Sequence, residues 1–358
     1  MPRWKRYKYD TWAALALACF ENDAPWVIAV DTETYGFAWD DPAFCATVSW
    51  RSPHGAMRSA YLDLDDDDHG HRLAILMEML GAAGTWVFHN AKFDLQKLEL
   101  QTALDAGWRT EKRIEDTNIL HALLDENDRH GLKHLAKKLL GEETNEEEVL
   151  KKVRRKLKIK KDDGYHLLPR NVVAPYAMKD TEFTLRLYEY LRPRLPEELE
   201  PLYAQELVTM LSVMDIEARG MALDVPYLKD KKSEYGAKLM KLDIQLQKLA
   251  VDESVPPGER TVFNPNSVPQ IKEAFLRLGM GIQSTDKNAL TEIADTKDNH
   301  PEAGELAATL LEHRTIKKIH GTYLVGMLDE ERDGIIHPNF NLTLPRTGRM
   351  SSSAASNN

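Results

Sequence analysis

The sequence predicts an α/β domain, with a mixed sheet flanked by helices, followed by a mainly helical region. Over the first half of the chain, short apolar runs typical of strands alternate with helical patterns, which is the layout of an α/β fold. From about Pro196 the strand signals disappear and long helical patterns take over. Since 358 residues exceed what one hydrophobic core usually holds, we expect two domains, residues 1–195 and 196–358, with a boundary near residues 192–200.

The first half supplies the predicted sheet. Val27 to Val30 form an apolar run that suits a strand covered on both faces, and Gly36 marks the turn beyond it. Further strands are predicted over "FCATVSW" (44–50), "MRSAYLDL" (57–64) and "TWVFHN" (85–90). Helices are predicted from Asp10, which can cap the first of them, and over residues 71–81, 91–100, 114–127, 131–141 and 176–191.

The second half of the chain is predicted to consist of helices joined by loops. Helical patterns cover residues 206–220, 227–250, 267–280 and 302–324. The closing "SSSAASNN" (351–358) is predicted to be a small polar tail without packing potential of its own.

The composition indicates an ordinary globular protein, with 42% hydrophobic and 29% charged residues. Cys19 and Cys45 are the two cysteines and have no C-x-x-C spacing, which indicates a reducing compartment. The basic and then apolar N-terminus imitates a secretory signal, but we favour the capped helix because the next strand looks necessary to the fold. No run approaches the roughly 20 apolar residues of a membrane span, so we expect a cytoplasmic protein without a membrane partner.

Charge is unevenly distributed along the chain. A net charge of −10 argues against a generally basic nucleic-acid surface, yet eight of the eleven residues from Lys151 to Lys161 are Lys or Arg. Because acidic residues precede them, this segment is either a solvated helix whose charges suit its dipole or a contact for phosphates.

Two carboxylates follow the first predicted strand. Asp31 and Glu33 are two residues apart, so they share a face of the strand. The D-x-E pattern occurs at 31/33, 180/182, 215/217 and 329/331, and only the first pair ends an apolar strand. Two carboxylates held this close repel each other unless a cation or a proton lies between them.

Two more segments carry acids in suggestive positions. Asn90 and Asp94 flank Phe93 where a predicted strand turns into a helix, although a helix cap and a first-turn acid would give the same pattern. Tyr176 and Asp180 are one helical turn apart and share a face, although surface pairs do so too. Together with Asp31 and Glu33 these segments supply four carboxylates, which suit Mg²⁺, with Mn²⁺ as the alternative ion. Two such ions about 4 Å apart serve phosphodiester hydrolysis.

"VDTET", "HNAKFD" and "YAMKD", in that order, resemble the three motifs of the DEDDy 3′–5′ exonucleases, which have a ribonuclease H-like fold. The resemblance implies that Asp31, Glu33, Asp94 and Asp180 are catalytic metal ligands for two Mg²⁺ ions. It also implies that Tyr176 orients the attacking water and that Asn90 and Phe93 support the site or touch the terminal nucleotide.

The second half resembles the thumb and palm entry of family A DNA polymerases, through "ELVTMLSVMDIEARGMALD", "LLEHRTIKKIHGTYL" and "PRTGRMSSS". The resemblance implies DNA contacts by Lys317, Lys318 and His320 in the thumb and by Thr347, Arg349, Ser351 and Ser352 in the last motif. Taken alone, that last motif would read as a polar loop. It does supply a cation and hydroxyls beside Gly348, where backbone can approach a phosphate.

These resemblances predict a metal-dependent 3′–5′ DNA exonuclease, the proofreading module of a family A polymerase, with DNA as its partner. The family's palm acids and fingers cations have no counterpart in these 358 residues. We therefore expect a truncated or split polymerase, a second polypeptide carrying palm and fingers, and no nucleotidyl transfer by this chain alone. An RNA-trimming exonuclease of the same fold and a non-catalytic DNA-binding subunit are the alternatives.

Overall fold

A computed structural model describes residues 27–36, 38–65, 76, 80–81, 83–98, 113–143, 146–159, 164–251 and 262–354. The helix predicted from Asp10 and most of the helix predicted over residues 71–81 lie outside this part of the chain. The chain forms two compact units. The first contains the described residues up to Gly220 and those from His337 onward, and the second contains residues 221–336.

A five-stranded sheet organises the first unit. Its strands are β1 (Val27–Thr34), β2 (Ala43–Arg51), β3 (Met57–Asp63), β4 (Thr85–Phe88) and β5 (Arg113–Asp116), in the order β3-β2-β1-β4-β5. β1, β2 and β3 pair antiparallel, whereas β4 and β5 run parallel to β1. This mixed sheet confirms the predicted ribonuclease H-like fold. The carboxyl ends of β1, β4 and β5 consequently meet at one edge of the sheet, which is where open α/β sheets place their ligands.

Helices cover both faces of the sheet. They are α1 (Ala91–Lys97), α2 (Thr117–Leu124), α3 (Leu132–Leu140), α4 (Glu146–Lys156), α5 (Arg170–Leu191) and α6 (Glu200–Arg219). Ile28 and Trp86 belong to the main core with Leu95 of α1 and Leu120 of α2. On the other face α5 packs across β1 to β4. Polar contacts fix its position there, since Thr47 donates to the carbonyl of Ala177 at 3.1 Å.

The second unit is mainly helical. It contains β6 (Met221–Ala222), α7 (Val225–Ala250), α8 (Val268–Arg277), α9 (Lys287–Ala294), α10 (Pro301–Lys318), a π-helical segment (Ile319–Val325), α11 (Gly326–Glu330) and β7 (Ile335–Ile336). Phe275, Leu290 and Leu306 are fully buried in its core. β6 and β7 pair antiparallel, so the chain enters and leaves this unit at neighbouring points.

The last segment of the chain returns to the first unit as a hairpin. β8 (Pro338–Asn341) pairs antiparallel with β9 (Ser351–Ala354). The expectation of a polar tail was therefore wrong for residues 351–354, and strands do occur after Pro196. Runs of two to four residues with no apolar alternation give no strand signal, and the hydrogen bonds of their partner strands decide their conformation. Residues 355–358 lie outside the described part.

The helix predicted over residues 114–127 begins at Thr117, because Arg113–Asp116 form β5. Within the described residues, no helix is both long and apolar enough to span a bilayer.

Candidate active site

Three of the four predicted carboxylates lie together at the edge of the sheet. Asp31 and Glu33 come from β1 and Asp180 from α5, and one carboxylate oxygen of each lies within 4.8 Å of the others. Asp31 and Glu33 are partly buried, and Asp180 is almost completely buried. Hard oxygen atoms this close together can hold a divalent cation.

Asp94 lies beside this group rather than within it. It is buried on α1, and its Oδ1 accepts hydrogen bonds from the backbone N–H of Thr32 at 2.9 Å and from the Thr32 hydroxyl at 2.7 Å. These two bonds hold the Asp94 carboxylate against β1 at Thr32, which is the residue between Asp31 and Glu33 in the sequence. The negative charge of Asp31 also raises the pKa of Asp94, so the two carboxyl groups are close enough to interact.

The site acids resist ionising together. Burial raises the pKa of Asp31 to about 7, while the charge of Lys133 opposes that shift. Burial, and then repulsion from Asp31, raises the pKa of Glu33 well above its ordinary value, again opposed by Lys133. The pKa of Asp94 is also raised well above its ordinary value, first by burial and then by Asp31. A positive charge bound among these carboxylates would stabilise their ionised forms and so lower all three pKa values.

Lys133 of α3 is a site residue that sequence reasoning missed. Its ammonium group forms an ion pair with Asp180 and lies 4.3 Å from the centre of the Tyr176 ring. A single lysine in the lysine-rich "LKHLAKKLL" carries no signal that distinguishes it from its neighbours. The contact with both side chains shows that Tyr176 and Asp180 share a face of α5.

Tyr176 is set to keep its proton. Burial raises the pKa of its phenol, and the nearby Glu33 carboxylate raises it further. The ring also meets Tyr165 edge to face, with ring centres 5.8 Å apart. A neutral phenol can donate a hydrogen bond to an oxygen at the site, so Tyr176 is suited to orient a water molecule rather than to remove its proton.

Asn90 and Phe93 lie at the start of α1. Asn90 is exposed and adopts the left-handed conformation (φ 78°), and its side chain does not cap the helix. Asp116 caps it instead, because its carboxylate accepts from the N–H of Asn90 at 3.3 Å and of Ala91 at 2.7 Å. The capping alternative for Asn90 was therefore wrong, and its side chain is available for other contacts. Phe93 is partly buried.

A cavity of about 400 Å³ opens beside this edge of the sheet. His89 and Asn90 after β4, Asn118 after β5, and the chain from Asn339 to Leu344 contribute to its lining. Thr343 donates a hydrogen bond to Asn118 at 2.6 Å across one side. The hairpin of β8 and β9 thus helps to form the surroundings of the sheet edge.

The residues predicted to contact DNA are distributed over both units. Lys317 and Lys318 are exposed at the end of α10, and His320 is partly buried in the π-helical segment of the second unit. Thr347 and Arg349 are exposed in the first unit on either side of Gly348, whose φ of 68° is left-handed. Ser351 and Ser352 are part of β9. Their roles toward DNA stay predictions.

The sheet order defines a ribonuclease H-like domain, and the group of carboxylates at the edge of its sheet is a candidate metal site. Comparison with protein families agrees with this class: residues 9–196 match the 3′–5′ exonuclease family and residues 225–356 match DNA polymerase family A. The chain therefore belongs to the family A DNA polymerases with a 3′–5′ exonuclease domain.

Known relatives are phage and bacterial polymerases. A DNA polymerase of Escherichia phage T5 is 34% identical over 294 residues, which are 76% of this chain and 34% of that protein. DNA polymerase I of Chloroflexus aurantiacus is 29% identical over 74% of this chain and 27% of its own length. DNA polymerase DpoZ of Salmonella phage PMBT28 is 26% identical over 90% of this chain and 51% of its own length. The chain thus spans about a quarter to a half of these relatives.

A solved structure shares the fold. The POL domain of Pol1 from M. smegmatis, in complex with DNA primer-template and dNTP, superposes with a TM-score of 0.60 at 20% identity, and the match covers 96% of this chain and 53% of that one.

Proposed function

We propose that this chain is a proofreading module that removes nucleotides from the 3′ ends of DNA with the help of two Mg²⁺ ions, Mn²⁺ being the alternative. The observation that carries the proposal is the grouping of Asp31, Glu33 and Asp180 within 4.8 Å at the edge of the sheet. Asp94 beside them and Tyr176 one turn before Asp180 complete the set that the family resemblance implies.

The donor set supports a divalent cation. All four side chains offer carboxylate oxygens, which suit Mg²⁺ or Mn²⁺ better than zinc. The raised pKa values of Asp31, Glu33 and Asp94 are the signature of acids that need positive charge. When bound, two such ions supply an activated water and stabilise the leaving oxygen of the phosphodiester.

The protein's own side chains position the reacting groups. Thr32 holds Asp94 through two hydrogen bonds. Tyr176 retains its proton and orients a water oxygen. Lys133 offsets the negative charge of Asp180 and packs on the Tyr176 ring. With these groups fixed before substrate arrives, less reorganisation is needed when the bond is cleaved.

Exposed Lys and Arg side chains are the candidate contacts to the DNA phosphates. α4 packs through Leu150 and Val153 beside Tyr165 and Tyr176, so it borders the candidate site. Lys151, Lys152 and Arg155 of this helix are exposed and can meet the phosphates of a single-stranded 3′ end. Lys317, Lys318, His320, Thr347, Arg349, Ser351 and Ser352 are proposed to contact duplex DNA. Residues 1–195 would then be the exonuclease domain and 196–358 the thumb and palm entry.

The decisive test is the double variant Asp31→Ala/Glu33→Ala. We expect it to lose Mg²⁺-dependent release of nucleotides from a labelled single-stranded DNA 3′ end while keeping its circular dichroism spectrum. Asp329→Ala/Glu331→Ala is the matched control, because it removes the same D-x-E pattern outside the site and should digest DNA like the parent protein.

The same variants separate stability from catalysis. Without metal, Asp31→Ala/Glu33→Ala should be at least as stable as the parent toward urea, because repulsion between these two partly buried acids is removed. Digestion at the parental rate would contradict the proposal. Faster digestion of an RNA than of a DNA of the same sequence would instead support the RNA-trimming alternative.

A further inference from the structure

A second group of metal-ligating side chains lies outside the carboxylate site. It contains His121 of α2, Asp125 and Asp128 in the turn that follows, His130, and His134 of α3. We call it the histidine–aspartate cluster. His121 is 3% exposed, whereas Asp125 and His134 are accessible from solvent. The helix–turn–helix thus brings one buried imidazole and several accessible ligands to one point.

The distances within the cluster are close to those of a coordination site. His121, Asp125 and Asp128 each offer one ligand atom within 4.8 Å of the others. Nε2 of His121 is 3.7 Å from Oδ2 of Asp128, which is too long for a hydrogen bond. Ligand atoms around a tetrahedral zinc ion with bonds of about 2.05 Å are about 3.4 Å apart. Small rotations of the partly exposed Asp125 and Asp128 side chains therefore suffice to enclose an ion.

Neighbouring groups orient the buried imidazole. Nδ1 of His121 lies 2.9 Å from Nδ1 of His130, so one of these nitrogens donates a hydrogen bond to the other. With Nδ1 engaged in this way, Nε2 of His121 faces the aspartates. Metal-binding histidines commonly have their second nitrogen fixed by such an outer partner. His134 donates through Nε2 to Oδ1 of Asp128 at 2.8 Å and so holds that carboxylate.

In the structure, the positive charge beside Asp125 and Asp128 comes from Lys138 of α3. Its ammonium group lies 2.7 Å from Asp128 and 3.7 Å from Asp125. These contacts alone would make the cluster a surface network of ion pairs, which contributes little to stability. They do not account for the buried His121 aimed at the same carboxylate. The Lys138 side chain is 46% exposed, so it can move into solvent and leave the aspartates to another cation.

The ligand chemistry differs from that of the carboxylate site. When Nδ1 of His121 carries the proton shared with Nδ1 of His130, Nε2 of His121 has a lone pair to offer to an ion. A mixed set of imidazole and carboxylate ligands favours borderline ions such as Zn²⁺ or Co²⁺ over Mg²⁺.

We propose that the histidine–aspartate cluster is a binding site for a zinc-class divalent ion, held by His121, Asp125 and Asp128. His134 rotates from Asp128 to become the fourth ligand, and His130 positions His121. The site shares no ligand with the carboxylate group, so it is independent of the proposed nuclease function.

The test is a calorimetric titration of the metal-free 358-residue chain with Zn²⁺ in excess Mg²⁺, repeated with Co²⁺ while its visible absorption is recorded. We expect one equivalent to bind and Co²⁺ to give the intense absorption of a tetrahedral site. Asp128→Asn and His121→Gln should each weaken Zn²⁺ binding by about tenfold or more. His54→Gln, which changes an exposed histidine elsewhere in the first unit, should bind like the parent.

Lys138→Met tests the same site without altering a ligand. If the ammonium group and the ion compete for the aspartates, this variant should bind Zn²⁺ more tightly than the parent, and its fold can be checked by circular dichroism. Equal binding by the parent, Asp128→Asn and Lys138→Met, or no binding of Zn²⁺ by the parent, would overturn the proposal.

Discussion

At the scale of single residues, Tyr176 shows how surroundings decide what a side chain can do. Its phenol is partly buried near Glu33, and both burial and the Glu33 charge raise its pKa. Its ring is fixed between Lys133 and Tyr165. The hydroxyl is therefore protonated and restricted in position, which suits a group that orients water but not one that acts as a base.

Tyr176→Phe should slow release of nucleotides by on the order of 10- to 1000-fold, with little change in KM, because the ring remains and the hydroxyl is lost. Single-turnover digestion of single-stranded DNA at saturating Mg²⁺ measures the effect. Tyr165→Phe is the control, since it removes the hydroxyl of the neighbouring ring. An equal rate for Tyr176→Phe and the parent would leave Tyr176 with a packing role only.

At the scale of secondary-structure elements, Asp116 joins three of them. It ends β5, it caps α2 by accepting from the N–H of Asn118 and Ile119, and it caps α1 by accepting from the N–H of Asn90 and Ala91. Because α1 carries Asp94, this one carboxylate sets the position of a predicted metal ligand. Helix starts that are buried need such partners for their free N–H groups.

Asp116→Ala should lower the free energy of unfolding by about 2–3 kcal/mol, since two helices lose their cap and buried N–H groups lose a partner. Urea denaturation monitored by circular dichroism measures this. Glu126→Ala, an exposed acid in the turn after α2, should change stability by less than about 0.5 kcal/mol. Similar values for the two variants would mean that water replaces the Asp116 carboxylate at both helix ends.

Packing of α10 against α7 gives the second unit a predicted dependence on pH. His313 of α10 is 2% exposed and lies 3.0 Å from Oδ1 of Asp243. Burial lowers its pKa below the ordinary value of 6.5, outweighing Asp243, which raises it, and Lys317 and Arg314 lower it further. As the pH falls below 6.5 the unfolded chain binds the proton more readily, so the folded state loses stability.

The measurement is urea denaturation at about pH 7.5 and about pH 5.5, on either side of the ordinary histidine pKa. His313→Gln should lose less stability on acidification than the parent protein does, whereas His300→Gln, an exposed histidine of the same unit, should lose as much. If His313→Gln keeps the parental pH dependence, other groups cause it.

The elements also show what the sequence could and could not predict. β1, β2 and β3 were predicted from their apolar residues, and the long helices α5, α7 and α10 from their periodicity. β5 was missed because "RIED" has one apolar residue, and several of the partners that stabilise its buried acids are distant in sequence. Tyr203, for example, donates to Glu115 at 2.8 Å. Lys133 was missed for the same reason, since its partner Asp180 is known only from the folded chain.

At the scale of the whole molecule, the first unit is built from two separate stretches of chain. Lys92 of α1 donates to Glu217 of α6 at 2.5 Å and to Asn339 of β8 at 2.6 Å, and all three are buried. Glu217 also accepts from the N–H of Phe340 at 2.6 Å. The segment that follows the second unit therefore completes a buried polar network around α1, and removing it would leave a buried charge pair partly unsatisfied.

The second unit, by contrast, is expected to be replaceable by a short turn. Met221 pairs with Ile336 and Ala222 with Ile335, so a two-residue Asn-Gly turn can join Ala222 to Ile335 as a hairpin. A chain in which this turn replaces residues 223–334 should fold and should keep Mg²⁺-dependent release of nucleotides from single-stranded DNA. It should bind duplex DNA more weakly, because Lys317, Lys318 and His320 are gone.

The control for the joined chain is a chain that ends at residue 220. It lacks Asn339 and Phe340, so Lys92 and Glu217 lose hydrogen-bond partners, and Trp39 loses its stacking on His337 at a ring separation of 4.7 Å. We expect it to be less stable than the joined chain by about 2–4 kcal/mol, since each buried polar group left without a partner costs about 1–3 kcal/mol. Thermal unfolding of both proteins, followed by the nuclease assay, measures the difference. Equal stability would mean that β8 and β9 contribute nothing to the first unit. A joined chain that fails to fold would mean that the first unit depends on the second.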